Sequence, residues 1–135
     1  MNCKRLILAI IAAYVAMSIL GIATDVILAD YMTQMKTIGR MGPDLEAHAL
    51  WMYLGYFIVT IMFCYIYALH HEGKGWLEGA RYGLLIGILM SGITMVLYAA
   101  FPMSAMESLV SALSGIVIYV VGGIVTSLVY THSTQ

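Results

Sequence analysis

Hydrophobic residues run along this chain in four long blocks, 6–29, 49–69, 82–101 and 109–130, and every charged residue except Asp25 falls outside them. Each block has the roughly 20 residues that an α-helix, rising about 1.5 Å per residue, needs to cross a hydrocarbon core of about 30 Å. The first block is too long for the core of a secretory signal, about 7 to 15 residues, so it is expected to be retained as a spanning helix. Short connections after the second and third blocks make consecutive helices antiparallel neighbours. The pattern predicts an all-α fold with a single domain over 1–135: a polytopic membrane protein built as an antiparallel bundle of four transmembrane helices.

Polar and small positions inside and around the blocks predict how the helices face one another. Gly79, Gly83, Gly87 and Ser91 recur every fourth residue, which drifts only slowly around a helix of 3.6 residues per turn and leaves a smooth groove. Ser111, Gly115, Tyr119, Gly123 and Ser127 repeat that spacing in the fourth block. In lipid such grooves let backbones approach closely, so the third and fourth helices are expected to form the tightest pair. On the first block Tyr14, Ser18, Gly21 and Asp25 share one face, expected to look inward. The second is bulky and aromatic, with Trp51, Tyr53, Tyr56, Phe57, Phe63, Tyr65 and Tyr67 and with Gly55 as its only glycine.

The boundaries carry their own signals. Asp44 and Glu46 follow Pro43, where acidic side chains complement a helix N-terminus. The turn His70-His71-Glu72-Gly73-Lys74-Gly75 separates the second and third helices, and Pro102 closes the third. Ser104 and Glu107, three apart ahead of an apolar run, form a capping-box pattern.

Tyr53-Leu54-Gly55-Tyr56, the Tyr65-x-Tyr67 pair, Glu72-Gly73-Lys74, Gly79-x-Arg81-Tyr82-Gly83-Leu84-Leu85-Ile86-Gly87 and Tyr98-Ala99-x-x-Pro102 together resemble a family of small, uncharacterised four-helix bacterial membrane proteins. The likeness runs over nearly the whole chain. It implies the four-helix fold and a bacterial inner membrane, and it brings no activity with it.

Composition agrees: 62% of the 135 residues are hydrophobic and 10% charged, with a mean hydropathy of +0.93, against about a quarter charged in a soluble domain. A formal net charge of -1 without a Lys/Arg cluster excludes nucleic acid as a partner. Lys4, Arg5, Lys74 and Arg81 share one side of the membrane, and Lys36 and Arg40 the other. Positive residues are retained inside, which predicts both termini in the cytoplasm. Trp76 and Tyr82 then fall at the inner interface, and Tyr31, Trp51 and Tyr53 at the outer one. Cys3 and Cys64 have no CxxC or Cys/His spacing and suggest neither a disulfide nor a zinc site.

Candidate chemistry is sparse. Asp25, the one charge inside a block, is a candidate for an ion or proton path together with Tyr14 and Ser18, because intramembrane ionisable groups are rare and often functional. It lies about 12 Å from the midplane if the helix is centred near Met17, close enough to the boundary to reach water, Lys36, Arg40 or His48. Met32, Met35, His48, Met103 and Met106 gather near the outer face, and thioether sulfur suits Cu(I). With 11 methionines in the chain, ordinary packing explains them as well. His70, His71 and Glu72 read as a solvated helix end, and Glu78 and Arg81 as a local ion pair. No convergent catalytic set is present, so the expectation is a protein that is not an enzyme and needs no cofactor. The leading expectation is an accessory or self-associating membrane component, in contact with the lipid bilayer and part of a homo-oligomer or larger complex. The alternative is a small oligomeric transporter or channel for protons or cations, with copper handling as a minor variant.

Overall fold

A computed structural model describes residues 2–33 and 35–131. Among the described residues the chain is all-helical. Helix α1 (Cys3–Ile27) is followed by a 3-10 turn (Ala29–Tyr31) and the short α2 (Met35–Ile38), then by α3 (Pro43–Leu69), α4 (Trp76–Ala100) and α5 (Ala105–Thr131). Helices α1, α3, α4 and α5 are each long and apolar enough to cross a bilayer. This is a membrane protein with a four-helix bundle.

Helices α3, α4 and α5 start ahead of the apolar blocks because each carries an acidic residue in its first turn, so hydropathy marks only the stretch that lipid surrounds. Pro43 opens α3 behind Gly42, whose φ of 55° lets the chain turn in sharply, and Asp44 and Glu46 occupy the first turn. At α5 the Glu107 N–H donates to Ser104 Oγ at 3.1 Å, and the Ser104 N–H donates to Glu107 Oε2 at 3.1 Å. Two of the free donors at that helix start are thereby satisfied.

The tightest contact is between α4 and α5. A Cβ added at Gly79 would meet the Gly123 carbonyl oxygen and stand 2.6 Å from Ser127 Oγ. At Gly83 it would meet the Tyr119 carbonyl oxygen and stand 2.7 Å from Val120 Cα, and at Gly87 it would stand 2.9 Å from Ile116 Cα. Ser91 continues the seam by donating to the Ala112 carbonyl at 3.2 Å. From α5 only Gly123 and Ser127 of the expected set, with the Tyr119 backbone, meet α4 at these glycines. A Cβ at Gly115 would find open space, and Ser111 instead donates to Met32 Sδ at 3.6 Å, tying the turn after α1 to α5. On another face of α5, Gly122 receives Met17 of α1.

Helix α3 behaves differently. Ala9, Ile10 and Ala13 of α1 form the core with Phe63, Cys64 and Tyr67 of α3 and Tyr130 of α5, toward the end of the bundle where α1 begins and α5 finishes. Hereafter this is the termini end. Beyond Thr60 toward the far end, every residue of α3 from Leu50 to Val59 is exposed. Tyr53 and Tyr56 lie on the same helical face as Thr60, Phe63 and Tyr67, yet are 52% and 58% exposed. Helix α3 therefore leaves the bundle near Phe57, whose ring meets Tyr14 edge-on at 5.5 Å. A wedge opens between its far half and α1 and α5.

Candidate functional site

The wedge is lined by residues that carry unmatched polarity. On α1, Tyr14 touches α3 through Phe57 while Met17 touches α5 at Gly122. The stripe Tyr14, Ser18, Gly21 and Asp25 therefore runs between those two helices and faces the opening. Asp25 stands exposed at its rim. From α5, the ring of Tyr119 lies 5.7 Å from that of Phe63.

Depth gives these phenols their meaning. Tyr14, Tyr56 and Tyr119 sit at the middle of helices of 25, 27 and 27 residues, so they share one layer near the centre of the bilayer. Among the described residues, neither these three hydroxyls nor Ser18 and Asp25 make a side-chain hydrogen bond. Other hydroxyls nearby are satisfied: Thr60 donates to the Tyr56 carbonyl, Thr126 to the Gly122 carbonyl, and Tyr82 to the Phe63 carbonyl at 2.6 Å. An unpaired hydroxyl held away from water costs about 1–3 kcal/mol. This layer is where a polar partner would be stabilised.

Sequence reasoning placed Tyr14, Ser18 and Asp25 on one face and overlooked Tyr56 and Tyr119. The signal for Tyr56 was the run Tyr53, Tyr56, Thr60, Phe63 and Tyr67 at spacings of three and four, which marks the inward face of α3. No comparable signal marks Tyr119, because its backbone serves the α4 seam while its ring serves α3.

At the termini end three expectations are corrected. Glu78 does not pair with Arg81: its Oε1 accepts the Glu72 N–H at 2.8 Å and lies 3.2 Å from His71 Nδ1, and its Oε2 accepts the Lys74 N–H at 2.7 Å. Gly73 and Gly75, with φ of 79° and 75°, fold the turn back so that its N–H groups point at the first turn of α4. Satisfying several free N–H donors outweighs an exposed pair between neighbouring turns. His70 is exposed as expected, but His71 is not a solvated end. Its ring stands edge-on to Tyr130 at 5.2 Å, and its Nδ1 lies 3.2 Å from the Tyr67 hydroxyl. Tyr82 is likewise drawn into the core against Phe63 and Tyr67 and does not sit in an interfacial belt.

Met32 accepts from Ser111, Met103 is buried and Met106 exposed, and the side chain of Met35 lies outside the described residues. His48 lies against the Arg40 guanidinium, 2.8 Å from its Nε2, and Arg40 pairs with Asp44 at 3.0 Å. Of the three groups offered as partners to Asp25, Arg40 and His48 are thus engaged with Asp44, and the side chain of Lys36 lies outside the described residues. Among the described residues no three His, Cys, Asp or Glu side chains converge, and Cys3 and Cys64 are free thiols.

No protein-family model, curated protein or solved structure matches this chain.

Proposed function

We propose that the protein is a non-catalytic membrane component that works by self-association, with the wedge beside α3 receiving a helix from a second copy. The observation that carries this reading is the uncovered inward face of α3, where Tyr53 and Tyr56 continue the line of the buried Thr60, Phe63 and Tyr67 and yet are more than half exposed. The small-residue seam of α4 and α5 is engaged within the chain at Gly79, Gly83, Gly87 and Gly123, which moves the expected partner contact to α3. A two-fold pair in which each copy lays its far half of α3 in the other's wedge covers both faces at once. It also gives the mid-membrane phenols hydrogen-bond partners, each worth about 1 kcal/mol in a bilayer. Size and oligomeric state in mild detergent test this reading. Wild type is expected as a dimer, and Tyr53→Ala/Tyr56→Ala as a monomer of unchanged helix content; a monomeric wild type sinks the proposal.

A second reading has one specific observation behind it. The polar stripe of α1 and the phenol layer face the same opening, with Asp25 at its mouth, as a path for protons or cations would require. Reconstitution into liposomes with a pH or cation reporter separates the two. The self-association reading predicts no flux above empty liposomes for wild type or Asp25→Asn, whereas flux that depends on Asp25 establishes the transporter.

A further inference from the structure

A cleft of about 580 Å³ lies at the termini end, between the turn after α3 and the first turns of α4. Leu77, Tyr82 and Leu85 give it apolar walls, and two cations, Lys74 and Arg81, line it together with two carboxylates, Glu72 and Glu78. Arg81 is five positions into α4 from Trp76, about 7.5 Å along the axis. It is flanked one turn away on each side by Leu77 and Leu85, both more than half exposed, so it belongs to a lipid-facing stripe. Among the described residues no carboxylate pairs with it. Glu78 is held by the turn's N–H groups and His71, and Glu72 pairs with Lys74. A guanidinium on such a stripe reaches along its own stem toward an anion at the membrane surface, and its planar fork suits two phosphate oxygens at once.

We propose that this cleft is a binding site for the phosphodiester headgroup of a phospholipid. Arg81 donates to the phosphate, Lys74 supplies a second donor through the ammonium N–H groups left over from its pair with Glu72, and Leu77 and Leu85 hold the first methylenes of an acyl chain. The site is independent of the wedge and of what occupies it.

The test uses the full chain in a neutral maltoside detergent, with Trp51→Phe so that Trp76 at the mouth of α4 reports alone. A short-chain phosphatidylglycerol is titrated beside a diacylglycerol of equal chain length and inorganic phosphate. A saturable change in Trp76 emission is expected with the phospholipid only, weakened about tenfold or more by Arg81→Gln and less by Arg81→Lys. An equal response to diacylglycerol would reduce the site to an apolar groove, and saturation by inorganic phosphate would make it a free-anion site; either overturns the proposal. If Arg81→Gln loses helix content, Arg81→Lys and Lys74→Gln decide, and wild-type binding in both overturns it as well.

Discussion

At Gly83 there is no room for a side chain, since a Cβ would stand 2.7 Å from Val120 Cα and closer still to the Tyr119 carbonyl oxygen. The obstacle is backbone, which cannot swing aside. Gly83→Leu is therefore expected to destabilise the α4–α5 seam by about 1–3 kcal/mol or more, read as unfolding in mixed micelles. Gly55 and Gly92 are helical too, but a Cβ at either finds open space. Replacing them with alanine should leave stability unchanged or raise it by about 0.5–1 kcal/mol through helix propensity. Equal losses at all three positions would mean that the seam is not where the close approach occurs. Spacing alone did not separate these glycines: Gly87 and Gly115 have the same four-residue periodicity, but at that level α5 meets α4 through Ala112 and Ile116, which leaves Gly115 uncovered.

Among the elements, the starts of the helices are better determined than their sides. The capping box at Ser104 and Glu107 was legible because it is local: two side chains three residues apart answer each other's N–H groups whatever the rest of the fold does. Ser104→Ala should cost about 1 kcal/mol of stability, and Ser104→Gly less. The role of Glu78 was not legible, because it depends on a turn folding back over the helix. Glu78→Gln places an amide where one N–H donor and a carboxylate oxygen now meet, at Lys74 or at Glu72. It is expected to loosen that turn, measured as faster amide exchange at Glu72 and Lys74 with the exchange at Leu85 to Leu89 unaltered. Unchanged exchange at the turn would show that the carboxylate does not hold it. Helix α3 is the element that sequence described least well, since its aromatic run is apolar on every side and gives no sign of where the bundle stops covering it.

For the molecule as a whole, four spans were legible because length and hydropathy obey the bilayer's dimensions, and their packing was legible only where small residues force it. The position of α3 depends on side-chain contacts between distant parts of the chain, such as Tyr14 with Phe57 and Cys64 with Thr126, which no local pattern encodes. Its uncovered half is the centre of the functional account. Tyr56→Phe, which deletes one mid-membrane hydroxyl without changing shape, should weaken the dimer by about 1 kcal/mol while leaving the monomer's fold intact. The most direct measurement is photo-crosslinking from a benzophenone amino acid placed at Tyr56 in native membranes, resolved by mass. The account predicts an adduct at twice the 14.8 kDa chain mass, joined to α3 of a second copy. Adducts to lipid alone, or to α5 of the same chain, would contradict it.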